Sequence, residues 1–193
     1  GERLHVFDIL QLGGTNHVTA WSTLEDRLAV LRGLPCFAKD CPHLQIVSTA
    51  TTPFEKINLM AEVKERGGEG LVFKRRGSAY SEGRPNSGGD WLKLKFYKTL
   101  SAIVSRHNDQ RSVALALVDG NGIEIAVGNV TVPGNHPMPA LSSVVEVRYL
   151  YAFESSGALY QPVYLGPRSD IEPAECLASQ RVFKDQAQFA TAA

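Results

Sequence analysis

The chain has 193 residues, 44% of them apolar, which is enough to bury the core of one large domain or two small ones. Lysine plus arginine and aspartate plus glutamate both number 20, so net charge alone does not indicate a partner. No apolar run approaches the ~20 residues of a membrane-spanning helix and no signal-like start is visible, so we expect a soluble protein without a membrane partner.

The charges are unevenly distributed along the chain. Residues 1–55 carry 4 basic and 6 acidic side chains, residues 56–106 carry 11 and 5, and residues 107–193 carry 5 and 9. A basic middle segment favours an anion site, for nucleotide phosphate or a nucleic-acid backbone. A surface of solvated lysines would give the same pattern, so charge alone leaves both interpretations open.

The three cysteines, Cys36, Cys41 and Cys176, do not form a disulfide framework. This usage suits a reducing compartment, and we expect a cytoplasmic protein, nucleoid-associated if it is bacterial. Cys36 and Cys41 with His43 lack the spacing of a zinc knuckle, and no second cysteine pair follows. A zinc site is therefore not predicted there.

The first hundred residues alternate predicted strands and helices. A helix is predicted at about 22–33, where leucines recur at spacings of three and four, with Ser22 or Thr23 as its N-cap and Gly33 as its stop. A second helix is predicted from Pro53 to residue 66, where two glycines follow it. The strand candidates are residues 4–10, 44–48, 71–74 and 91–96.

From about Leu100 the pattern changes to short strands without a long helix. The five strand candidates are residues 102–107, 113–118, 123–132, 144–154 and 158–165. The sequence Asp-Gly-Asn-Gly at 119–122 is typical of a hairpin turn between the second and third of them. This pattern predicts a five-stranded β-barrel of the OB type, with a boundary near Lys98–Ser101 and a loose Ala-rich tail at the end.

Two neighbouring strand segments concentrate the residues suited to phosphate chemistry. Residues 68–74 contain Glu69 and Lys74, and Trp91 to Lys95 contains Lys93 and Lys95. Because side chains alternate along a strand, Lys93 and Lys95 are predicted on one face, roughly 7 Å apart. A carboxylate can hold a divalent metal and ammonium groups can offset charge on a phosphoryl group. For either segment alone, an ordinary half-buried strand with solvated lysines remains the alternative.

In combination, these segments resemble the motifs of ATP-dependent DNA ligases, which belong to the covalent nucleotidyltransferase superfamily. The resemblance covers nearly the whole chain, in the family's order. Residues 5–14 are similar to motif III, the helix with Leu24, Arg27 and Leu31 to the segment after it, 69–74 to motif IV, 78–80 with Gly83-Arg84 to the following loop, 91–95 to motif V, and 166–170 to motif VI.

The resemblance implies an α+β fold, with the C-terminal half of a nucleotidyltransferase (adenylation) domain at residues 1–99 and a five-stranded OB-fold β-barrel at residues 100–193. It implies an ATP-dependent DNA ligase, expected as a monomer. Such an enzyme joins nicks in duplex DNA through enzyme-AMP and DNA-adenylate intermediates, with ATP and Mg²⁺, in repair, replication or recombination. The alternatives are a non-catalytic OB-type nucleic-acid-binding module and an RNA ligase or capping-type nucleotidyltransferase.

The resemblance also implies roles for residues of the first domain. Phe7 would stack on the adenine ring, although core packing is its alternative. Glu69 would help to hold Mg²⁺, which prefers carboxylate and phosphate oxygens. Lys93 and Lys95 would contact the α-phosphate, and Lys74 is the less certain member of this set.

In the second domain, Arg168 and Asp170 would close over the nucleotide and orient the pyrophosphate leaving group. A surface-turn ion pair is the alternative for these two residues. Ile171 follows them where many relatives have lysine. The positive charge of that lysine is therefore missing from motif VI, which serves the first step of the reaction.

A second departure concerns the nucleophile. In the family it is a lysine in a Lys-x-Asp-Gly motif upstream of motif III, and this sequence contains no such motif. Residues 39–42, Lys-Asp-Cys-Pro, do not match it. We therefore expect the lysine to come from a missing N-terminal adenylation segment, and this chain alone to form no covalent adenylate.

Overall fold

The computed structural model describes residues 3–16, 22–38, 43–83 and 89–184. The chain divides into two compact units, which we call unit 1 (Gly1–Lys95) and unit 2 (Phe96–Asp185). No helix within the described ranges is long and apolar enough to cross a membrane.

Unit 1 combines short strand pairs with helices. Its described helices are α1 (Leu24–Arg32), α2 (Pro35–Ala38) and α3 (Pro53–Glu65). Its described strands are β1 (Leu4–Val6), β2 (Gln11–Leu12), β3 (Thr15–Asn16), β4 (Leu44–Ile46), β5 (Gly70–Lys74) and β6 (Trp91–Lys95). β1 pairs with β4 in parallel, while β2 with β3 and β5 with β6 are antiparallel pairs.

The two longer helices of unit 1 begin where the sequence predicts because threonines cap them. The Thr23 hydroxyl accepts a hydrogen bond from the Asp26 N–H, and the Asp26 carboxylate accepts one from the Thr23 N–H. Thr52 and Glu55 make the same reciprocal pair at the start of α3. The backbone N–H of Thr52, together with Thr51, holds the pKa of Glu55 at about 2. Each pair satisfies N–H groups that have no partner within the helix.

The predicted strand at residues 4–10 is shorter in the structure, since β1 ends at Val6. Beyond that point the Asp8 carboxylate accepts a hydrogen bond from the N–H of Ile9 and pairs with Arg27. The backbone there is held by side-chain contacts instead of a strand partner. The predicted strand at 44–48 is also shorter in the structure, where β4 covers Leu44–Ile46.

Unit 1 buries few large apolar side chains. Among its described residues these are Ile9, Leu24 and Leu31. Both faces of the β5–β6 pair carry exposed apolar side chains, namely Val72, Phe73, Leu92 and Leu94. A two-stranded pair with apolar residues exposed on both faces is marginal by itself in water.

Unit 2 is a five-stranded antiparallel sheet with the spatial order β11-β10-β7-β8-β9. Its strands are β7 (Lys98–His107), β8 (Ser112–Val118), β9 (Glu124–Thr131), β10 (Val144–Tyr149) and β11 (Val163–Arg168). The N–H of Leu159 donates to the carbonyl oxygen of Val127 on β9, so the segment before β11 also meets the far edge strand. This arrangement is consistent with an OB-fold domain.

The core of unit 2 comes from the inward-facing residues of all five strands. Leu115, Val127, Val147 and Tyr149 are among its completely buried members. The predicted turn at residues 119–122 is confirmed, with Gly122 at φ +81° between the antiparallel β8 and β9. The strand candidates at residues 113–118 and 123–132 are therefore close to β8 and β9.

The predicted bounds around the last two strands of unit 2 are wrong. β10 ends at Tyr149 instead of residue 154, and β11 covers Val163–Arg168 instead of residues 158–165. Gln161 has φ +51°, a left-handed conformation that interrupts an extended run. The apolar residues of this stretch are loop residues, which periodicity alone does not distinguish from a strand.

Candidate functional site

The β5–β6 pair places three lysines on one face. Lys93 lies directly opposite Val72, Lys95 opposite Gly70, and Lys74 opposite Trp91. Residues directly opposite each other in an antiparallel pair share a face, and so do residues two apart along a strand. The face that carries Trp91 therefore also carries Lys93 and Lys95, as the predicted alternation required, and the strand pairing adds Lys74 to it.

Glu69 is exposed and comes directly before β5. The next residue, Gly70, has φ +153°, and a Cβ there would overlap the carbonyl oxygen of Leu94. At Gly68 a Cβ would overlap Val63 on α3. The glycines on either side of Glu69 thus allow close packing against the protein itself. These glycines place Glu69 immediately before the start of β5, at the end of the strand pair where Gly70 lies opposite Lys95.

The Lys74 ammonium lies beside two aromatic rings. Its Nζ lies 3.9 Å from the centroid of the Trp91 ring and 4.6 Å from that of the Phe7 ring. It also donates a hydrogen bond of 3.3 Å to the Phe7 carbonyl oxygen. Burial lowers the pKa of the Lys74 ammonium, and the nearby Asp8 carboxylate partly opposes this shift. Lys74 therefore contacts both the ring and the backbone of Phe7.

The segment that carries Phe7 is anchored by a buried ion pair. Arg27 Nε lies 2.9 Å from Asp8 Oδ1, and the two side chains are 0% and 5% exposed. A second guanidinium nitrogen lies 3.2 Å from Asp8 Oδ2, and a third donates to the Ser22 carbonyl oxygen at 3.0 Å. The pair satisfies both carboxylate oxygens of Asp8 and fixes the residue next to Phe7.

The position of Arg27 in the sequence indicates this ion pair, although the pairing with Asp8 was not predicted. Arg27 stands three residues after Leu24 and four before Leu31, on the apolar face of α1. A charged residue in such a stripe requires a buried partner. Tyr80 extends the cluster, with its ring 5.8 Å from the Arg27 guanidinium carbon and 6.2 Å, edge-on, from the Trp91 ring.

Phe7 itself remains 54% exposed. Lys74 holds it from within the protein, so ring surface is available for a flat ligand to stack on. The arrangement can therefore provide an aromatic platform at one end of the β5–β6 face and ammonium groups farther along it. Such a surface suits a nucleotide, with a base at one end and phosphate at the other.

The carboxylates near this face could support only a partial metal site. Among the described residues, no group of three His, Cys, Asp or Glu side chains could hold a metal ion. A single carboxylate, Glu69, fits Mg²⁺, because that ion commonly keeps water and substrate phosphate among its ligands. Cys36 is an exposed free thiol.

In unit 2, Arg168 and Asp170 form a bidentate ion pair. Arg168 donates hydrogen bonds of 2.7 Å to each carboxylate oxygen of Asp170, and it lies 3.9 Å from Glu146. The hydrogen bonds from Arg168 hold the pKa of Asp170 at about 2. Ile171 packs against the core of unit 2, which gives a physical role to the apolar residue that departs from the lysine of many relatives.

Several sequence predictions fall outside the described residues. These are the loop residue Arg84, the thiol of Cys41, the non-matching segment at residues 39–42, and the Ala-rich tail.

Comparisons with known proteins concern the fold. No family model matches the sequence, and no curated protein matches it significantly. A structure from an analysis of Lig E DNA ligases superposes with a TM-score of 0.63 at 21% identity, covering 86% of this chain and 63% of that one. The structure named Pmar-Lig_Pre gives 0.65 at 18%, covering 86% and 44%, and Pmar-Lig_PreS3 gives 0.60 at 17%, covering 77% and 40%.

The chain thus spans less than two thirds of the length of each of these three structures. Identities of this size support the fold. On that basis, the chain has an ATP-dependent DNA ligase-like fold.

Proposed function

We propose that this chain is the C-terminal part of the catalytic region of an ATP-dependent DNA ligase that joins nicks in duplex DNA. Unit 1 would be the C-terminal half of the nucleotidyltransferase (adenylation) domain, and unit 2 its OB-fold domain. The observation that carries the proposal is the β5–β6 register, which aligns Lys74, Lys93 and Lys95 on one face of a chain with a ligase-like fold.

The binding of ATP would begin with its base. Adenine would stack on the exposed Phe7 ring, which Lys74 and the buried Asp8–Arg27 pair hold in place. This fixed platform would position the nucleotide before the reaction, so that little entropy is lost in the reacting state. The structure thus supports placing Lys74 at the base end of the nucleotide.

The phosphates of ATP would contact Lys93 and Lys95. In the first step, a lysine nitrogen bonds to the α-phosphorus of ATP while the bond to pyrophosphate breaks. AMP then passes to the 5′-phosphate at the nick, and the 3′-hydroxyl displaces AMP to close the strand. In each displacement the two ammonium groups would donate hydrogen bonds to α-phosphate oxygens, where negative charge accumulates.

Glu69 is the carboxylate that would hold Mg²⁺, with phosphate oxygens and water completing its ligands. When bound, the ion would add positive charge at the phosphates. In unit 2 we assign Arg168 and Asp170 to orienting the pyrophosphate leaving group. Arg168 already pairs with Asp170, so contact with pyrophosphate would share or replace that pair.

The nucleophilic lysine would be supplied by a segment outside this sequence, because the sequence contains no Lys-x-Asp-Gly motif. The exposed apolar side chains on both faces of β5–β6 support this part of the proposal. They offer a surface that a further polypeptide segment would cover with a gain in hydrophobic burial. We therefore expect this chain, given labelled ATP and Mg²⁺, to acquire no covalent AMP.

The decisive experiment replaces the phosphate-binding lysines in the complete protein. Lys93→Ala and Lys95→Ala should each raise the barrier to sealing by ~2–4 kcal/mol, measured as the rate of sealing a labelled nick. Lys56→Ala removes an exposed lysine from α3 and should leave the rate unchanged. Sealing at nearly the wild-type rate by both β6 variants would show that these lysines are not part of the site.

Two further assays separate the proposal from its alternatives. A non-catalytic binding module would not seal a pre-adenylylated nick after the N-terminal segment is added back, whereas a ligase would. A panel of ATP and GTP with DNA and RNA nicks distinguishes a DNA ligase from an RNA ligase or a capping-type enzyme. DNA binding should weaken steeply with added salt, because phosphate contacts release counterions.

A further inference from the structure

Three aromatic side chains cluster on the loop between β10 and β11 of unit 2, and no role above involves them. The rings of Tyr151 and Tyr160 are stacked, with centroids 4.7 Å apart and planes inclined by 23°. Phe153 stands edge-on to both, 5.5 Å from Tyr151 and 5.4 Å from Tyr160. The Leu150 N–H donates to the Tyr160 carbonyl oxygen and the Tyr160 N–H to that of Tyr151, so a hydrogen-bonded hairpin presents the rings.

A cation lies beside one ring of the stack. Lys184 Nζ lies 4.8 Å from the centroid of the Tyr151 ring and 3.5 Å from its hydroxyl oxygen. In the described part of the chain, the ring contacts of Tyr160 are with Tyr151 and Phe153 only. Tyr160 is partly exposed and Phe153 is exposed, so these two rings keep surface that a further flat ring could contact.

Two basic side chains lie close to the cluster, although residues 107–193 as a whole are acidic, with 5 basic and 9 acidic side chains. The segments 150–160 and 181–184 together carry the basic Arg181 and Lys184 and the acidic Glu154. Flat aromatic surface beside positive charge is the combination by which proteins hold single-stranded nucleic acid, whose bases stack and whose phosphates pair with cations. The loop between the last two strands of an OB-fold is also one that binds oligonucleotides or oligosaccharides in this class of fold.

We propose that Tyr160 and Phe153 form a stacking site for an unpaired base of single-stranded DNA, with Lys184 countering a phosphate of the same strand. A base would extend the Tyr151–Tyr160 stack by one ring. Bases within a duplex are already stacked on their neighbours, so the site selects unpaired nucleotides over intact duplex. This binding extends beyond nick joining and does not depend on it.

The test is the binding of a labelled oligothymidylate of about 12 nucleotides to the full chain, followed by fluorescence anisotropy. Tyr160→Ala and Phe153→Ala should each weaken binding by about tenfold or more, the range expected when a stacked base loses its ring. Tyr160→Phe keeps the ring and should bind like the wild type. Ile123→Ala, which trims an exposed apolar side chain from the β8–β9 turn, should also leave affinity unchanged.

Wild-type affinity in both alanine variants, no binding of the oligothymidylate at all, or tighter binding of duplex or of a neutral oligosaccharide would each overturn the inference. If circular dichroism shows that Tyr160→Ala does not fold, Phe153→Ala decides, because that side chain is 39% exposed. The assay contains neither ATP nor a nick. Failure of nick sealing in the complete protein would contradict the proposed function and leave this inference unaffected. Failure of the oligothymidylate assay would contradict this inference and leave the proposed function unaffected.

Discussion

The buried Asp8–Arg27 pair yields the sharpest prediction about unit 1. Arg27→Met keeps most of the side-chain volume but leaves the Asp8 carboxylate, 5% exposed, without its two guanidinium hydrogen bonds. Breaking a buried ion pair by removing one partner costs about 3–5 kcal/mol, because a charge remains buried without compensation. We expect a loss of that size in the free energy of unfolding of unit 1. The double variant Asp8→Asn/Arg27→Met should lose less than the sum of the two single variants.

The chain offers a convenient probe and a matched control for this measurement. Both tryptophans, Trp21 and Trp91, belong to residues 1–95, so tryptophan fluorescence in a urea titration reports on unit 1. Glu25, on the same helix as Arg27, pairs with Arg76, and both of those side chains are mostly exposed. Glu25→Gln should therefore change stability by ~0–1 kcal/mol. If Arg27→Met shifts the transition no more than Glu25→Gln does, the ion pair is not an anchor.

Three other predictions use similarly simple measurements. Gly70→Ala should destabilise unit 1 by about 2 kcal/mol or more in the same titration, because its Cβ would overlap the neighbouring strand, whereas Gly77→Ala projects into open space and should be nearly neutral. In the complete protein, Lys74→Ala should weaken adenosine and AMP binding alike by ~0.5–2 kcal/mol in calorimetry, and undiminished adenosine binding would contradict a role at the base end. By NMR, Asp170 should titrate at about 2, and in Arg168→Gln it should return toward 3.8. Its pKa is depressed in the folded state, so its contribution to stability is present above pH 3.8 and disappears as the pH falls through about 2.

The parts of the fold that depend on local sequence could be predicted. Thr23 and Thr52 fix the starts of α1 and α3 through contacts three residues away. The glycine-rich turn at residues 119–122, between two strand candidates, indicates the hairpin of β8 and β9. In each case the interacting groups are close in sequence, so composition and spacing contain the information.

The parts that depend on distant residues could not be predicted. The partner of Arg27 is 19 residues away, and no periodicity links a charged residue on a helix to Asp8 at the end of a strand. The bounds of β10 and β11 were wrong because the aromatic side chains from 151 to 160 pack on one another within a loop. Apolar character predicted burial there, but the rings bury one another locally and are not part of a sheet.

The resemblance to ligases grouped Lys74 with Lys93 and Lys95 as the less certain of three phosphate-binding lysines. The structure distinguishes them by their neighbours, because Lys74 lies between the rings of Phe7 and Trp91. Along the strands, Lys93 lies roughly 7 Å from the level of Lys74, and Lys95 lies about the same distance farther on. If the proposed function holds, the β5–β6 face is therefore ordered in the same sense as the nucleotide, from a base end at Phe7 to a phosphate end at Lys95. One lysine would then serve to position the base, and the other two to stabilise charge on the phosphate.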